Sequence, residues 1–433
     1  MTVQMQDTER RITKRIPFEC VTRYRGFSSL QQPTVGHARD VSRLGIQLAV
    51  DRAMNIGDEV CISVQSPRTN TWLPEIKGTL VWQESMRSCE DVPFFVAGVK
   101  FSDNVDSEVS EWERMIRSLE SPETIKRFPG HTTYHINKAY DGSTSTFKVL
   151  RAFGWGPLMN LGYYRFPAPL TPLEMLLAVA GGQLNRLLPT AQHRLVLETL
   201  KQVNIHGVDH VLDIACGRGR SSFVAASSHP NADIIGVDLL AENIAVASTM
   251  YSQMPNLRYM VNDAMNLEFA DATFNKVFCL EAAFHFSDRS RFLQEVFRVL
   301  KPGGRFVIVD FMWKTMSARR IATHPMTELV KEIWRFGDFW TVQEYQEHAV
   351  LAGFRIQKAN DWSRYVTTPV VFLFKAMALI GNARAGRYVL ERMNPLTRAV
   401  DIDAWSAFQR SAAAHQFVEG KIKYIALSLV KTL

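Results

Sequence analysis

The chain has 433 residues, too many for one ordinary domain, and 46% are hydrophobic, so two or three well-filled cores are expected. Its 50 Lys and Arg against 43 Asp and Glu give a net charge of +7, a mild excess compatible with anionic ligands or a membrane surface and diagnostic of neither. Five scattered cysteines (Cys20, Cys61, Cys89, Cys216 and Cys279) form no CxxC or Cys/His cluster, which argues against a metal site and suits a reducing, cytoplasmic setting.

The opening MTVQMQDTERR lacks the apolar core of a secretory signal. The longest apolar run, Pro369 to Gly381, is too short to span a bilayer and holds Lys375. Up to about residue 104, short β runs follow one another: PFECVTRYR, GIQLAV, DEVCISVQ, EIKGTLVWQE and FFVAGVKF. Such spacing, with turn residues between, predicts a small all-β barrel. The run SEVSEWERMIRSLE then predicts a helix.

Two motifs punctuate this half. Arg11-x-x-x-Arg15, preceded by Arg10, stands before the first run, and Asp40-Val-Ser42-Arg-Leu-Gly45 stands before GIQLAV. Together, in an all-β setting, they resemble the PilZ domain, a receptor for cyclic di-GMP, over residues 9 to about 119. The resemblance implies that Arg10, Arg11, Arg15, Asp40, Ser42 and Gly45 bind the dinucleotide. Arginine can fork onto phosphate or onto guanine O6 and N7, and can stack on a base. Asp40 can accept from guanine N–H groups, Ser42 can bond phosphate or backbone, and Gly45 permits close approach.

Residues 120–132, with Pro122, Pro129 and Gly130, read as a linker, and residues 133–433 as a second domain. Its lead-in holds Tyr140-Asp141, Phe153-Gly154-Trp155-Gly156 and NLGYYRFP; AQHRLVLETLKQVNI is an amphipathic helix. VLDIACGRGR, Val211 to Arg220, is then a β run broken by Gly217-Arg218-Gly219, with a helical pattern after it. Strand, glycine turn and helix open a doubly wound α/β sheet. The turn is not the pyrophosphate-binding GxGxxG, because Ser222 takes the third glycine's place. A carboxylate lies within it at Asp213. Others end the next two β runs, at Asp238 (followed by Leu239) and Asp263 (followed by Ala264). A carboxylate can hold a ribose diol or accept from an adenine amino group.

NKVFCLEAAFHF, the helix RSRFLQEVFRVL and the turn Lys301-Pro302-Gly303-Gly304 into RFVIVDF complete an order that resembles the class I methyltransferases, most specifically over 208–311. The resemblance implies a Rossmann-like α/β fold binding S-adenosylmethionine through Asp213, Gly217, Gly219, Asp238, Leu239, Asp263, Ala264 and Glu281. The lead-in and DWSRYV resemble small-molecule methyltransferases of the tocopherol, sterol and sugar O-methylating type, which implies Tyr140 as a cofactor cover. The apolar, helical stretch at about 363–419 is expected to cap an acceptor site.

Oxygen methylation benefits from a base. His285 and Asp310, at the ends of the fourth and fifth strands, match the histidine and acid of sugar and phenol O-methyltransferases, with His285 as base and Asp310 orienting it. Glu281 can instead stabilise a cation during C-methylation, and N-methylation needs little base, so the methylated atom stays open. The expected function is methyl transfer to a small or lipid-like acceptor, controlled by cyclic di-GMP. The alternative is a cyclic di-GMP signalling adaptor whose methyltransferase-like domain only binds. No NPPY-like or dense basic-aromatic run points to a nucleic acid polymer. Neither a metal nor a transmembrane segment is expected, and a homodimer is compatible with the sequence.

Overall fold

The computed structural model describes residues 16–26, 34–50, 53–64, 72–87, 93–102, 112, 114, 116, 144–155, 158–165 and 184–432. The chain forms two compact units, one around an N-terminal barrel and one around a seven-stranded sheet.

The barrel has six strands: β1 (Ile16–Gly26), β2 (Thr34–Ser42), β3 (Gly45–Val50), β4 (Glu59–Val64), β5 (Ile76–Arg87) and β6 (Pro93–Phe101). Their order is β1-β2-β3-β6-β5-β4, closed by antiparallel pairing of β1 with β4. Closure removes the exposed edges that a curled sheet would otherwise present. Alternate side chains fill the interior, among them Tyr24, Leu48, Ile62, Leu80 and Val99. Trp112, in a helical conformation, donates its indole N–H to the Pro74 carbonyl at 3.0 Å and meets Phe101 edge-on at 5.3 Å.

Five of the six strands follow the apolar runs read in the sequence. The sixth, β2 (TVGHARDVS), is missing from that reading because Gly36, His37, Arg39 and Asp40 break its alternation. Its neighbours on both sides supply the pairing that its own pattern does not advertise.

The second unit is built on β7 (His210–Ile214), β8 (Asp233–Asp238), β9 (Leu257–Val261), β10 (Phe274–Leu280), β11 (Leu300–Trp313), β12 (Phe354–Asp361) and β13 (Ile422–Lys431). The order is β12-β13-β11-β10-β7-β8-β9. β8, β7, β10 and β11 run parallel, and β13 enters antiparallel between β11 and β12. Residues 211–214 of β7 are all buried, as a parallel strand covered on both faces requires. The Lys301–Gly304 turn bulges out of the ladder: Phe274 pairs with Leu300, and Lys276 already pairs with Arg305.

The helices are α1 (Ser145–Ala152), α2 (Leu184–Val203), α3 (Arg220–Ser228), α4 (Ala241–Met250), α5 (Arg289–Val299), α6 (Pro325–Trp334), α7 (Val342–Leu351), α8 (Thr367–Asn382), α9 (Arg384–Met393) and α10 (Ile402–Val418). Several of their starts carry side chains that satisfy free N–H groups. Asp288 accepts from Arg291 N ahead of α5, Asp401 from Ala404 N ahead of α10, and Thr341 with Glu344 forms a capping box on α7.

α8 and α10 pack so closely that a Cβ on Gly381 would lie 2.0 Å from the Trp405 ring, which is buried. Alanine normally stabilises a helix by about 1 kcal/mol over glycine, whereas overpacking a filled core costs about 1–3 kcal/mol. Gly381→Ala is therefore expected to lower the melting temperature measured by thermal unfolding. A raised melting temperature would show that the helices part without cost.

Candidate active site

The sheet reverses direction at one place. From β7 the chain winds outward through β8 and β9, then returns to lay β10 on β7's other side. In open α/β sheets, ligands bind at the carboxyl ends of the strands flanking such a switch point. Here those ends carry the Asp213–Gly219 turn and, after β10, Glu281. Cys279 pairs with Ile214, so the two strand ends lie side by side.

The turn after β7 is built from unusual backbone. Ala215, Gly217 and Gly219 have φ of 57°, 55° and 82°, the left-handed region that costs least for glycine. A Cβ on Gly217 would come within 3.3 Å of Met159 Cε. Gly219 is the N-cap of α3, whose first N–H groups point out of the helix. The motif's carboxylate serves this turn directly: Asp213, buried, accepts from Ser221 Oγ and Ser222 Oγ, both at 2.6 Å. Ser222, which replaces the third glycine of a dinucleotide turn, therefore has a task of its own.

The two other strand-end acids are each pinned by one oxygen. Asp238 accepts from Leu240 N at 3.0 Å and Asn243 Nδ2 at 3.1 Å. Asp263 accepts from Met265 N at 2.9 Å. Leu239 and Ala264 follow them directly.

Glu281 is the most constrained residue here. It stands one residue past β10 with φ of 50°, strained for a residue with a Cβ. Its N–H donates to Val309 O at 2.8 Å, tying it to the neighbouring strand. Its carboxylate accepts from Leu161 N at 3.1 Å and from the Tyr424 hydroxyl at 2.5 Å. Burial pushes this carboxyl up to about 8, in spite of both hydrogen bonds.

Glu281 also lines a cavity of about 690 Å³, part of it open to solvent. Its lining is aromatic, with Phe284, Phe311, Phe336, Phe339 and Trp334, and aliphatic, chiefly valines, with Met159 and Leu161 among the lining residues as well. The phenylalanines hold one another, with Phe336 stacked on Phe339 at 4.3 Å and Phe284 edge-on to Phe336 at 5.4 Å. Arg289 fixes this wall from behind. Its guanidinium donates to the carbonyls of Ala283, Phe284 and Asp338.

The polar lining is sparse: Glu281, Thr367, His415 and Glu419. His415 is already spoken for, accepting at Nε2 from Trp334 Nε1 at 2.7 Å, with Nδ1 2.7 Å from Ser411 O. Burial lowers it to about 4, so it stays neutral. Because Met159 both lines the cavity and meets Gly217, the cavity adjoins the glycine turn.

The structure sets the sequence candidates apart. His285 and Asp310 are not among the cavity's lining residues. His285 lies 3.3 Å from the Arg335 carbonyl through Nδ1, and burial lowers it to about 3. Asp310 is wholly buried, accepting from Phe311 N at 2.8 Å and from the Tyr345 hydroxyl at 3.4 Å, and burial raises it to about 7. Glu281, expected to touch the cofactor, lines the cavity. Tyr424, His415 and Trp334 were not anticipated, since each reaches the site from far along the chain.

In the barrel, Arg10, Arg11 and Arg15 lie outside the described residues, as does Tyr140. Asp40 and Ser42 close β2. The Ser42 hydroxyl lies 3.3 Å from both Leu44 N and Gly45 O, bracing the turn into β3. A Cβ on Gly45 would lie 2.3 Å from Val99 O, so this glycine permits the approach of β6.

Asp310 binds its proton more tightly folded than unfolded, where its pKa is about 3.8. Its contribution to stability is therefore complete below about pH 4 and is lost as pH rises through about 7. Asp310→Asn should remove that part of the pH dependence, read as urea midpoints between pH 4 and 8. An unaltered slope would place the loss elsewhere.

Residues 212–308 match the family described as a methyltransferase domain. An O-methyltransferase of Aspergillus sclerotiorum is 26% identical over 263 residues, covering 60% of this chain and 90% of the relative. A phthiotriol/phenolphthiotriol dimycocerosates methyltransferase of Mycobacterium leprae (strain TN) is 33% identical over 192 residues, 41% of this chain and 66% of the relative. Among solved structures, a geranyl diphosphate methyltransferase in complex with GPP and sinefungin superposes with a TM-score of 0.51 at 17% identity, over 70% of this chain and 99% of that one. A cyclopropane synthase from Mycobacterium tuberculosis does so with a TM-score of 0.51 at 16% identity, over 69% and 98%. The two structures establish a Rossmann-like fold, and the sequence matches establish its activity: the chain is an S-adenosylmethionine-dependent methyltransferase.

Proposed function

We propose that the enzyme methylates a hydroxyl on a small, largely apolar or lipid-like acceptor seated in the Glu281 cavity. The observation that carries this reading is the pairing of an aromatic and aliphatic cavity with one strained, buried carboxylate beside the glycine turn. The fungal relative is an O-methyltransferase and the mycobacterial one methylates phthiotriol and phenolphthiotriol dimycocerosates, which supports an oxygen acceptor and a lipid-like one.

The cofactor would be held at the carboxyl ends of β7, β8 and β9, with Asp213, Gly217 and Gly219 shaping the turn. Asp238 with Leu239, and Asp263 with Ala264, would meet the nucleoside. The left-handed glycines fit a ligand lying against bare backbone, where a Cβ would intrude. When bound, the cofactor supplies an electrophilic methyl carbon on a sulfonium that leaves as a neutral thioether.

Glu281 is the better base on this geometry. A group near 8 matches a hydroxyl proton to be removed near neutral pH, whereas His285, near 3, holds a proton too weakly. Glu281 takes the acceptor proton as the new C–O bond forms. Tyr424 and Leu161 N hold its carboxylate in place throughout. The walls exclude water and orient the acceptor for in-line displacement.

Glu281→Gln should lower kcat by about 10²–10⁴-fold, the usual worth of a general base, with cofactor affinity kept. In the native enzyme kcat should rise with pH through about 8, where Glu281 loses its proton, and that limb should vanish in the variant. A native profile flat across that range, or full activity in Glu281→Gln, would remove the base role. Sharp loss in His285→Gln alone would return it to His285.

The barrel adds a proposed control. Its closed six-stranded form, with Asp40, Ser42 and Gly45 at the β2–β3 turn, is the setting in which the cyclic di-GMP motifs were read. On this reading the dinucleotide binds through those residues with Arg10, Arg11 and Arg15. It shifts activity by binding one arrangement of the enzyme better than another. Gly45→Ala is a poor probe because it strains the barrel itself. Arg11→Ala/Arg15→Ala should abolish dinucleotide binding by calorimetry and make turnover indifferent to it. A response that persists in the variant would refute the coupling.

A further inference from the structure

The cap carries a helix whose apolar residues are not spent on the core. In α9, RAGRYVLERM, only Leu390 is buried. Tyr388, Val389 and Met393 are between 41% and 61% exposed, and at 100° per residue they share one arc of the helix with Ala385. The neighbouring segments extend the apolar character: Leu379 near the end of α8 and Leu396 on the turn after α9 are exposed.

Arginines accompany them. Arg384, Arg392 and Arg398 are exposed, and the stretch 384–398 holds four arginines against one glutamate, Glu391. Arg392 lies over the Tyr388 ring, 5.7 Å from its centroid, and donates to the Tyr388 hydroxyl at 2.8 Å. An exposed apolar arc with Arg392 inside it, between Tyr388 and Val389, and Arg384 at its edge fits the boundary between headgroups and acyl chains. There the arc enters the acyl region and the guanidinium groups reach phosphate. No helix among the described residues is long and apolar enough to cross a membrane, so the contact is one of lying on the surface.

We propose that the α9 segment docks the enzyme on a lipid leaflet carrying anionic headgroups. The charge selects this occupant over a neutral apolar partner. The same helix that packs beside α9, α8, lines the cavity with Thr367, Val370 and Val371 and exposes Leu379 farther along. The proposal stands whichever atom is methylated.

The test is flotation of the full chain with vesicles of phosphatidylcholine alone or with an equal part of phosphatidylglycerol. Binding should require phosphatidylglycerol and weaken as salt rises. Val389→Ser/Met393→Ser/Leu396→Ser and, separately, Arg384→Gln/Arg392→Gln/Arg398→Gln should each weaken it by about tenfold or more. Calorimetry with S-adenosylmethionine should be unchanged in both variants, showing that they fold. Failure of the native chain to bind phosphatidylglycerol vesicles, or equal binding by the serine variant, would overturn the proposal. A dimer in light scattering that the serine variant dissolves would assign the face to a second copy instead.

Discussion

The hydrogen-bonded carboxylate of Glu281 joins the parts on which the site depends. It holds Leu161 N of the segment ahead of the sheet and the hydroxyl of Tyr424 on the antiparallel strand β13. Its own N–H binds β11. Three other stretches of chain therefore meet at one residue, two on its side chain and one on its N–H, and its backbone is strained while burial opposes its charged form. Strain and desolvation of this size persist only where surrounding packing dictates them. The packing here is the aromatic wall braced by Arg289 and the buried Tyr424.

From that constraint the division of labour follows. The β7 side of the switch point offers bare, left-handed backbone, suited to a ligand that must lie close. The β10 side offers an acid in an apolar enclosure. The histidine that lines the cavity is muted: His415 is locked between Trp334 and Ser411 O. A molecule entering this space would meet mostly hydrocarbon, which is the setting the proposed acceptor needs.

The sheet was readable because its landmarks are local. A glycine turn follows one β run, acids end the next two, and KPGG precedes another; each lies within a few residues of the element it marks. The helical content of the stretch at about 363–419 was readable from its apolar residues, and α8, α9 and α10 fall within it. β2 escaped because its pairing, not its own alternation, makes it a strand. In the site, Glu281 drew notice as a cofactor contact and as a group able to stabilise a cation, not as a base. Its left-handed φ, its bond to Tyr424 across 143 positions and the Trp334–His415 pair across 81 exist only once the chain is folded. The pairing of His285 with Asp310 followed spacing. Spacing alone did not show that Glu281 lines the cavity while His285 and Asp310 are not among its lining residues.

The account's central claim is most directly examined by a crystal structure with S-adenosylhomocysteine bound. It predicts the cofactor's sulfur at the β7–β10 crevice, facing the cavity, with the Glu281 carboxylate still held by Tyr424 and turned toward the space an acceptor would fill. Density for the cofactor elsewhere on the chain, or in a crevice shut off from the Glu281 cavity, would contradict it.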